Sequence, residues 1–176
     1  MDKKQPKLHN VFGKMINPLN PSPDDFDIEV IAHSLSLKCR FNGHIKWFYS
    51  VAQHAYLVSM LVSDENALWG LLHEMDEVYF PDIPAPLKKY FCDWEKITNS
   101  NLEIGALKHG LRMPIPKEVK KFDYLVRCAE MRDLMADCEE PWLPNPKEYA
   151  MIDKITPWRT EVAKLEFLDR YYHLIK

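Results

Sequence analysis

Glycine is scarce in this 176-residue chain, with five against thirteen prolines. Neither G-x-x-x-x-G-K-[ST] nor G-x-G-x-x-G can be written anywhere in it, which excludes P-loop and dinucleotide-binding chemistry. Cysteine is also sparse. Cys39, Cys92, Cys128 and Cys138 include no C-x-x-C pair, so reduced thiols fit better than a disulfide frame or a zinc ribbon. Neither sign of charge dominates: a net charge of −3 and a pI near 6.2 give no global basic field, and no duplex nucleic acid is expected as partner. No apolar run approaches the roughly 18 residues of a membrane span. The start, Met1-Asp2-Lys3-Lys4-Gln5-Pro6, lacks the apolar stretch of a signal peptide. No membrane partner is expected, and the expected location is cytoplasmic.

What remains is a balanced composition, 47% hydrophobic and 28% charged, that suits one globular domain over residues 1–176. Prolines 18, 21 and 23 make residues 1–23 an irregular N-terminal extension. Helical patterning starts after it, with Asp24 or Asp25 as cap. Ser50 and Gln53 read as a capping box before Val51, Ala55, Val58 and Leu61. Further helices are predicted from about Asp64 to Tyr79, from Leu87 to Gly110 with a weak point near Asn99-Ser100, from Lys117 to Asp137, and from Pro157 to Leu174. No strand pair with hairpin chemistry is read. The predicted class is all-α, a single-domain bundle.

Chemistry concentrates in Leu71-Leu72-His73-Glu74-Met75-Asp76-Glu77, where ionisable groups interrupt an apolar helical pattern and need partners if buried. On a continuous helix His73, Asp76 and Glu77 share a face. A metal cluster is one reading and a solvated or salt-bridged face the plainer one. H-E-x-x-H is absent because Glu77 stands at the second histidine position, so a zincin-type protease is excluded. His54 begins an upstream helix and Asp123 a downstream one, so antiparallel packing would gather all three.

The runs Arg40-Phe41-Asn42-Gly43-His44, Tyr49-Ser50-Val51-Ala52-Gln53-His54, His73-Glu74 with Glu77, and Asp82-Ile83-Pro84-Ala85-Pro86-Leu87-Lys88 resemble the HD-domain phosphohydrolase superfamily. The branch they resemble is that of the bacterial 5′-deoxynucleotidases and their small phage and prophage relatives. The resemblance covers roughly residues 11 to 138 and implies an HD-type helical bundle. It implies a divalent metal ion (Mn, Co, Zn, Fe or Mg) on His54, His73, Glu74 and Asp123, with Glu77 and Asp82 as catalytic carboxylates. It implies Arg40 and Phe41 as contacts to the phosphate and sugar of a deoxynucleotide substrate; Lys88 is a second phosphate contact or an exposed charge, His44 a substrate contact or a hydrogen bond holding the loop, and assembly into a homo-oligomer is expected, with Trp142 and Trp158 as interface candidates.

The family is named for His-Asp, and this chain has His73-Glu74. Three outcomes follow: Glu74 is the ligand, Asp76 takes its place, or the metal is lost and the protein binds nucleotide without turnover. Monophosphate hydrolysis is the leading expectation and removal of triphosphate from a dNTP, such as dATP, the alternative. Trp47, Phe48 and Tyr49 are either a base-stacking cluster or core. His33 reads as structural, and Asp137 to Glu140 as a solvated helix end.

Overall fold

The computed structural model describes residues 6–139 and 146–176; Trp142 and Glu140 lie outside them. Among the described residues are seven α-helices: α1 (Ile28–Leu37), α2 (Val51–Leu61), α3 (Ala67–Leu72), α4 (Ala85–Lys88), α5 (Trp94–Lys108), α6 (Lys117–Leu134) and α7 (Thr160–Leu174). The all-α expectation holds. Among the described residues no helix is long and apolar enough to cross a membrane.

Helix α2 forms the axis, packing against α1, α3, α6 and α7. Its small buried residues, Ala52, Ala55 and Ser59, let neighbours approach closely. Closest is α3, where a Cβ added at Gly70 would lie 2.8 Å from the Ser59 Cα. Ser59 ties three helices, its hydroxyl donating to the Ala67 carbonyl at 2.8 Å and accepting from Arg170 Nε at 3.1 Å. Ser50 caps α2 as expected, its hydroxyl accepting from the Gln53 backbone N–H at 3.1 Å. The Gln53 side chain does not close a capping box. It donates to the Thr156 carbonyl and accepts from the Trp158 N–H, which pins the approach to α7.

Beyond small shifts at the start of α3, the end of α6 (Leu134) and the start of α7 (Thr160), four features differ from the sequence reading, each for a local reason. First, residues 1–23 are not wholly irregular, because strands β1 (Leu8–His9) and β2 (Met15–Ile16) pair antiparallel. The Asn10 side chain accepts from the N–H groups of Phe12 and Lys14, and Gly13 supplies the left-handed φ of +77° that the turn requires. Second, Asp24 and Asp25 belong to a single 3-10 turn, and the cap of α1 is Asp27, which accepts from the Glu29 N–H. Third, the break expected near Asn99-Ser100 lies earlier: α4 is one turn, and Asp93 in the left-handed region (φ 60°) separates it from an unbroken α5.

The fourth difference bears on the site. The helix expected to run through Tyr79 ends at Leu72. His73 Nδ1 lies 2.7 Å from the Gly70 carbonyl, the oxygen that the Glu74 N–H would otherwise take in a continuing helix. Residues 75–78 form a separate 3-10 turn, and the Lys38 ammonium donates to the Glu77 and Phe80 carbonyls at its end. His73, Asp76 and Glu77 therefore do not share a helix face.

Candidate metal centre

Three helices deliver the four side chains. His54 comes from the second turn of α2, His73 and Glu74 from the end of α3, and Asp123 from the second turn of α6. One ligand-capable atom from each lies within 4.8 Å of the others. His54 Nε2 is 3.2 Å from Asp123 Oδ1 and 3.8 Å from Glu74 Oε1, which is 3.6 Å from His73 Nε2. Asp76 is outside this group, so the ligand position falls to Glu74. His73 and Glu74, adjacent at the end of α3, both reach the centre.

Each imidazole is oriented from behind. His54 Nδ1 is 2.6 Å from Glu130 Oε1 and His73 Nδ1 is 2.7 Å from the Gly70 carbonyl, so both Nδ1 atoms are donors and both Nε2 atoms turn toward the carboxylates. Both Nε2 atoms are buried without a hydrogen-bond partner. Buried nitrogens of this kind are costly unless something accepts their lone pairs. Two imidazoles with two carboxylates form a borderline N/O donor set that fits a first-row divalent cation.

The electrostatics ask for a cation as well. Burial and Arg40 oppose a charge on His54, but Glu130 and Asp123 outweigh them and lift its pKa to about 9. Burial raises the Asp123 carboxyl, yet His54, His73 and Arg40 hold it well below the usual range. Glu130 is fully buried, and Arg40 and His54 still bring its pKa down to about 2. Burial dominates at His73, whose pKa is lowered. Without a metal, the cluster thus draws a proton onto His54.

The centre forms the floor of a cavity of about 1140 Å³. Glu77 and Asp82 line it, as do Arg40, Phe41, His44 and Lys88. His54 is fully buried behind the wall. Burial, then Glu74, Asp82 and Asp76, push the Glu77 carboxyl well above its ordinary value, which favours its protonated form. Asp76 is raised to about 7 by burial and by Glu74. Arg40 is not an open grip: only 5% exposed, it donates to Glu130 through Nε (3.1 Å) and Nη2 (2.9 Å) and approaches Glu74 Oε1 through Nη1 (3.4 Å).

Sequence reasoning missed several contributors. Trp94, Lys120 and Arg127 line the cavity, the last two one turn either side of Asp123 on the same face of α6. Glu130 lies seven residues after Asp123, hence also on that face, and its position four after the buried Val126 was the available signal. The aromatic run divides: Tyr49 is core, whereas Trp47 and Phe48 line a second groove with Trp158, away from the centre. His33 is half-buried on α1 and takes no part in the cavity.

No protein-family model matches the chain. Over 119 residues it is 43% identical to the uncharacterized protein YfdR of Escherichia coli K12, a stretch covering 68% of this chain and 67% of that one. It is 31% identical over 119 residues to an uncharacterized protein of Rhodobacter capsulatus, covering 62% of this chain and 61% of the relative.

Proposed function

We propose that this chain, which belongs to the same family as YfdR, is a divalent-metal-dependent phosphohydrolase of deoxynucleotides, converting a monophosphate to deoxynucleoside and phosphate. The observation that carries the reading is the pair of back-braced imidazoles, His54 and His73, whose buried, unpartnered Nε2 atoms meet the Glu74 and Asp123 carboxylates under a cavity large enough for a nucleotide. The resemblance to HD-domain phosphohydrolases supplies the substrate class, and Glu74 stands in for the usual aspartate.

A divalent ion on this set supplies Lewis-acid polarisation of a phosphoryl oxygen and lowers the pKa of a water. The chain's own groups do the rest. Glu77, a cavity-wall carboxyl that burial biases toward its protonated form, takes the role of proton donor to the leaving oxygen. Asp82, from the proline-stiffened corner before α4, offers the second carboxyl group to orient the attacking water. Lys88 and His44 supply phosphate contacts, and Phe41 a ring for the sugar.

A second reading, hydrolysis of a dNTP with loss of triphosphate, is favoured by one observation: Lys120 and Arg127 flank Asp123 along the cavity, with Lys88 and Lys89 on another wall. That is more positive charge than a single phosphate needs. Gathering of Glu74 with the other three ligands weighs against a nucleotide binder without metal. The deciding experiment resolves phosphate, triphosphate and nucleoside released from dNMP and dNTP panels with Mn, Co, Mg or Zn, with Glu77→Ala as control. Deoxynucleoside plus orthophosphate supports the first reading and triphosphate the second; no product that depends on Glu77 overturns both.

A further inference from the structure

Behind the metal ligands lies a second layer of charge that the proposed chemistry does not use. Glu130 is 0% exposed, on the inner face of α6, where a lone carboxylate would be strongly disfavoured. It is satisfied on both oxygens. Oε1 accepts from His54 Nδ1 at 2.6 Å, and Oε2 accepts from Arg40 Nε at 3.1 Å and Nη2 at 2.9 Å. The remaining arm of the guanidinium, Nη1, points to Glu74 Oε1 at 3.4 Å. That oxygen is the one lying 3.8 Å from His54 Nε2 and 3.6 Å from His73 Nε2.

A single buried pair therefore touches two ligands of the centre, Glu130 at His54 and Arg40 at Glu74. The carboxylate fixes the tautomer and ring angle of His54. The guanidinium restrains the longer glutamate side chain, which has one more rotatable bond than aspartate. The loop bearing Arg40 is itself anchored, since the Arg40 N–H donates to the Tyr49 carbonyl at 2.9 Å beside the Cys39–Ser50 bridge. Arg40 is thus held in place by backbone, by Glu130 and by an aromatic ring, Phe41, 5.3 Å from its guanidinium carbon.

We propose that Arg40 and Glu130 form a positioning pair that sets the metal affinity of the centre, by orienting His54 and Glu74, and that Arg40 acts through these ligands rather than as a primary phosphate grip. The inference rests on the metal-centre reading and adds residues to it. A carboxylate behind a ligating imidazole raises its basicity, and losing such a partner lowers metal affinity about 10–100-fold.

The test is metal binding without nucleotide, measured by competition with a chromophoric chelator for Zn²⁺, and by the visible absorption of bound Co²⁺. Four proteins are compared: wild type, Glu130→Gln, Arg40→Gln and the double variant. Each single variant leaves one buried charge unpaired and is expected to lose stability. The double variant removes both charges and leaves two carboxamides able to bond each other, so it regains stability. The expected result is that the double variant melts close to wild type yet binds Zn²⁺ at least about tenfold more weakly, with an altered Co²⁺ spectrum. A double variant that binds within about twofold of wild type, with an unchanged spectrum, shows the pair to be scaffold only and overturns the inference while leaving the metal centre intact. Failure of the wild-type protein to bind either metal overturns both.

Discussion

Replacing Gly70 by alanine tests whether the approach of α3 to α2 is what brings the two histidines together. The new Cβ would stand 2.8 Å from Ser59 Cα, 3.0 Å from Ser59 N and 3.1 Å from Val62 Cγ2. Carbon atoms in good contact sit about 3.5–4.0 Å apart, and the obstructing atoms are mostly backbone, so the helices must separate by about 0.5–1 Å. Overpacking of this kind costs about 1–3 kcal/mol, and alanine returns about 1 kcal/mol of helix propensity. The net expectation is a loss of up to about 2 kcal/mol, which for a chain of this length lowers Tm by up to about 8 °C. Because His54 rides on α2 and the His73 imidazole is tied to the Gly70 carbonyl, the same separation pulls the ligands apart and weakens metal binding. The assay is thermal unfolding with and without EDTA, together with a Zn²⁺ titration. Gly110→Ala is the control. Gly110 has a φ of +70° and open space around its Cβ position, so its variant loses about 1 kcal/mol through backbone strain while keeping metal affinity. A Gly70→Ala protein as stable as wild type, with unchanged metal binding, would refute the reasoning.

Metal removal should destabilise the protein: at a free concentration 100 times Kd a bound ion adds about 2.7 kcal/mol, or about 5–11 °C in Tm. His73→Ala should abolish that increment, and a melting curve insensitive to metal would count against the centre. Stability of the metal-free protein should fall as pH rises from about 5 to 9. The Asp76 carboxyl, raised to about 7, favours folding when protonated and loses that contribution as pH climbs toward 7. His54, raised to about 9, contributes fully below about 6.5 and loses its share by pH 9. Glu130 and Asp123, both lowered, act oppositely, their contribution being complete above about pH 4.5 and lost as pH falls toward 2. Denaturant unfolding in EDTA should accordingly peak near pH 5, with Asp76→Asn flattening the slope between pH 5 and 7; a curve rising from pH 5 to 8 contradicts this. Glu77→Gln should lower kcat by about 10²–10⁴-fold while leaving metal affinity near wild type. Retention of kcat would remove Glu77 from the proton-transfer role.

The helices of this fold were legible in the sequence where a capping residue preceded an apolar face, as at Ser50, or where a proline preceded a long one, as at Pro116 before α6. The centre was legible through motif resemblance, and much less through periodicity. A helical reading of His73 to Glu77 fails because the His73 ring takes a backbone carbonyl that only a three-dimensional placement assigns to it. Glu130 and Arg40 escaped a paired reading because they are 90 residues apart and meet only once α2 and α6 pack. The N-terminal hairpin was hidden by its length: two residues per strand carry no alternation, and the signal was the Asn10 to Gly13 turn.

The backbone between Arg40 and His44 carries three successive left-handed residues, Phe41 (φ 54°), Asn42 (φ 53°) and Gly43 (φ 81°). Asparagine and glycine accept that region readily, but phenylalanine gives up about 1–2 kcal/mol to it. Through this kink two adjacent side chains stay together at the cavity, the Phe41 ring 5.3 Å from the guanidinium carbon of the buried Arg40. Under selection for stability alone, position 41 would drift to glycine or asparagine. Phe41 bears that strain to set its ring at the cavity wall, so Phe41→Gly would relax the loop while removing the ring from the cavity.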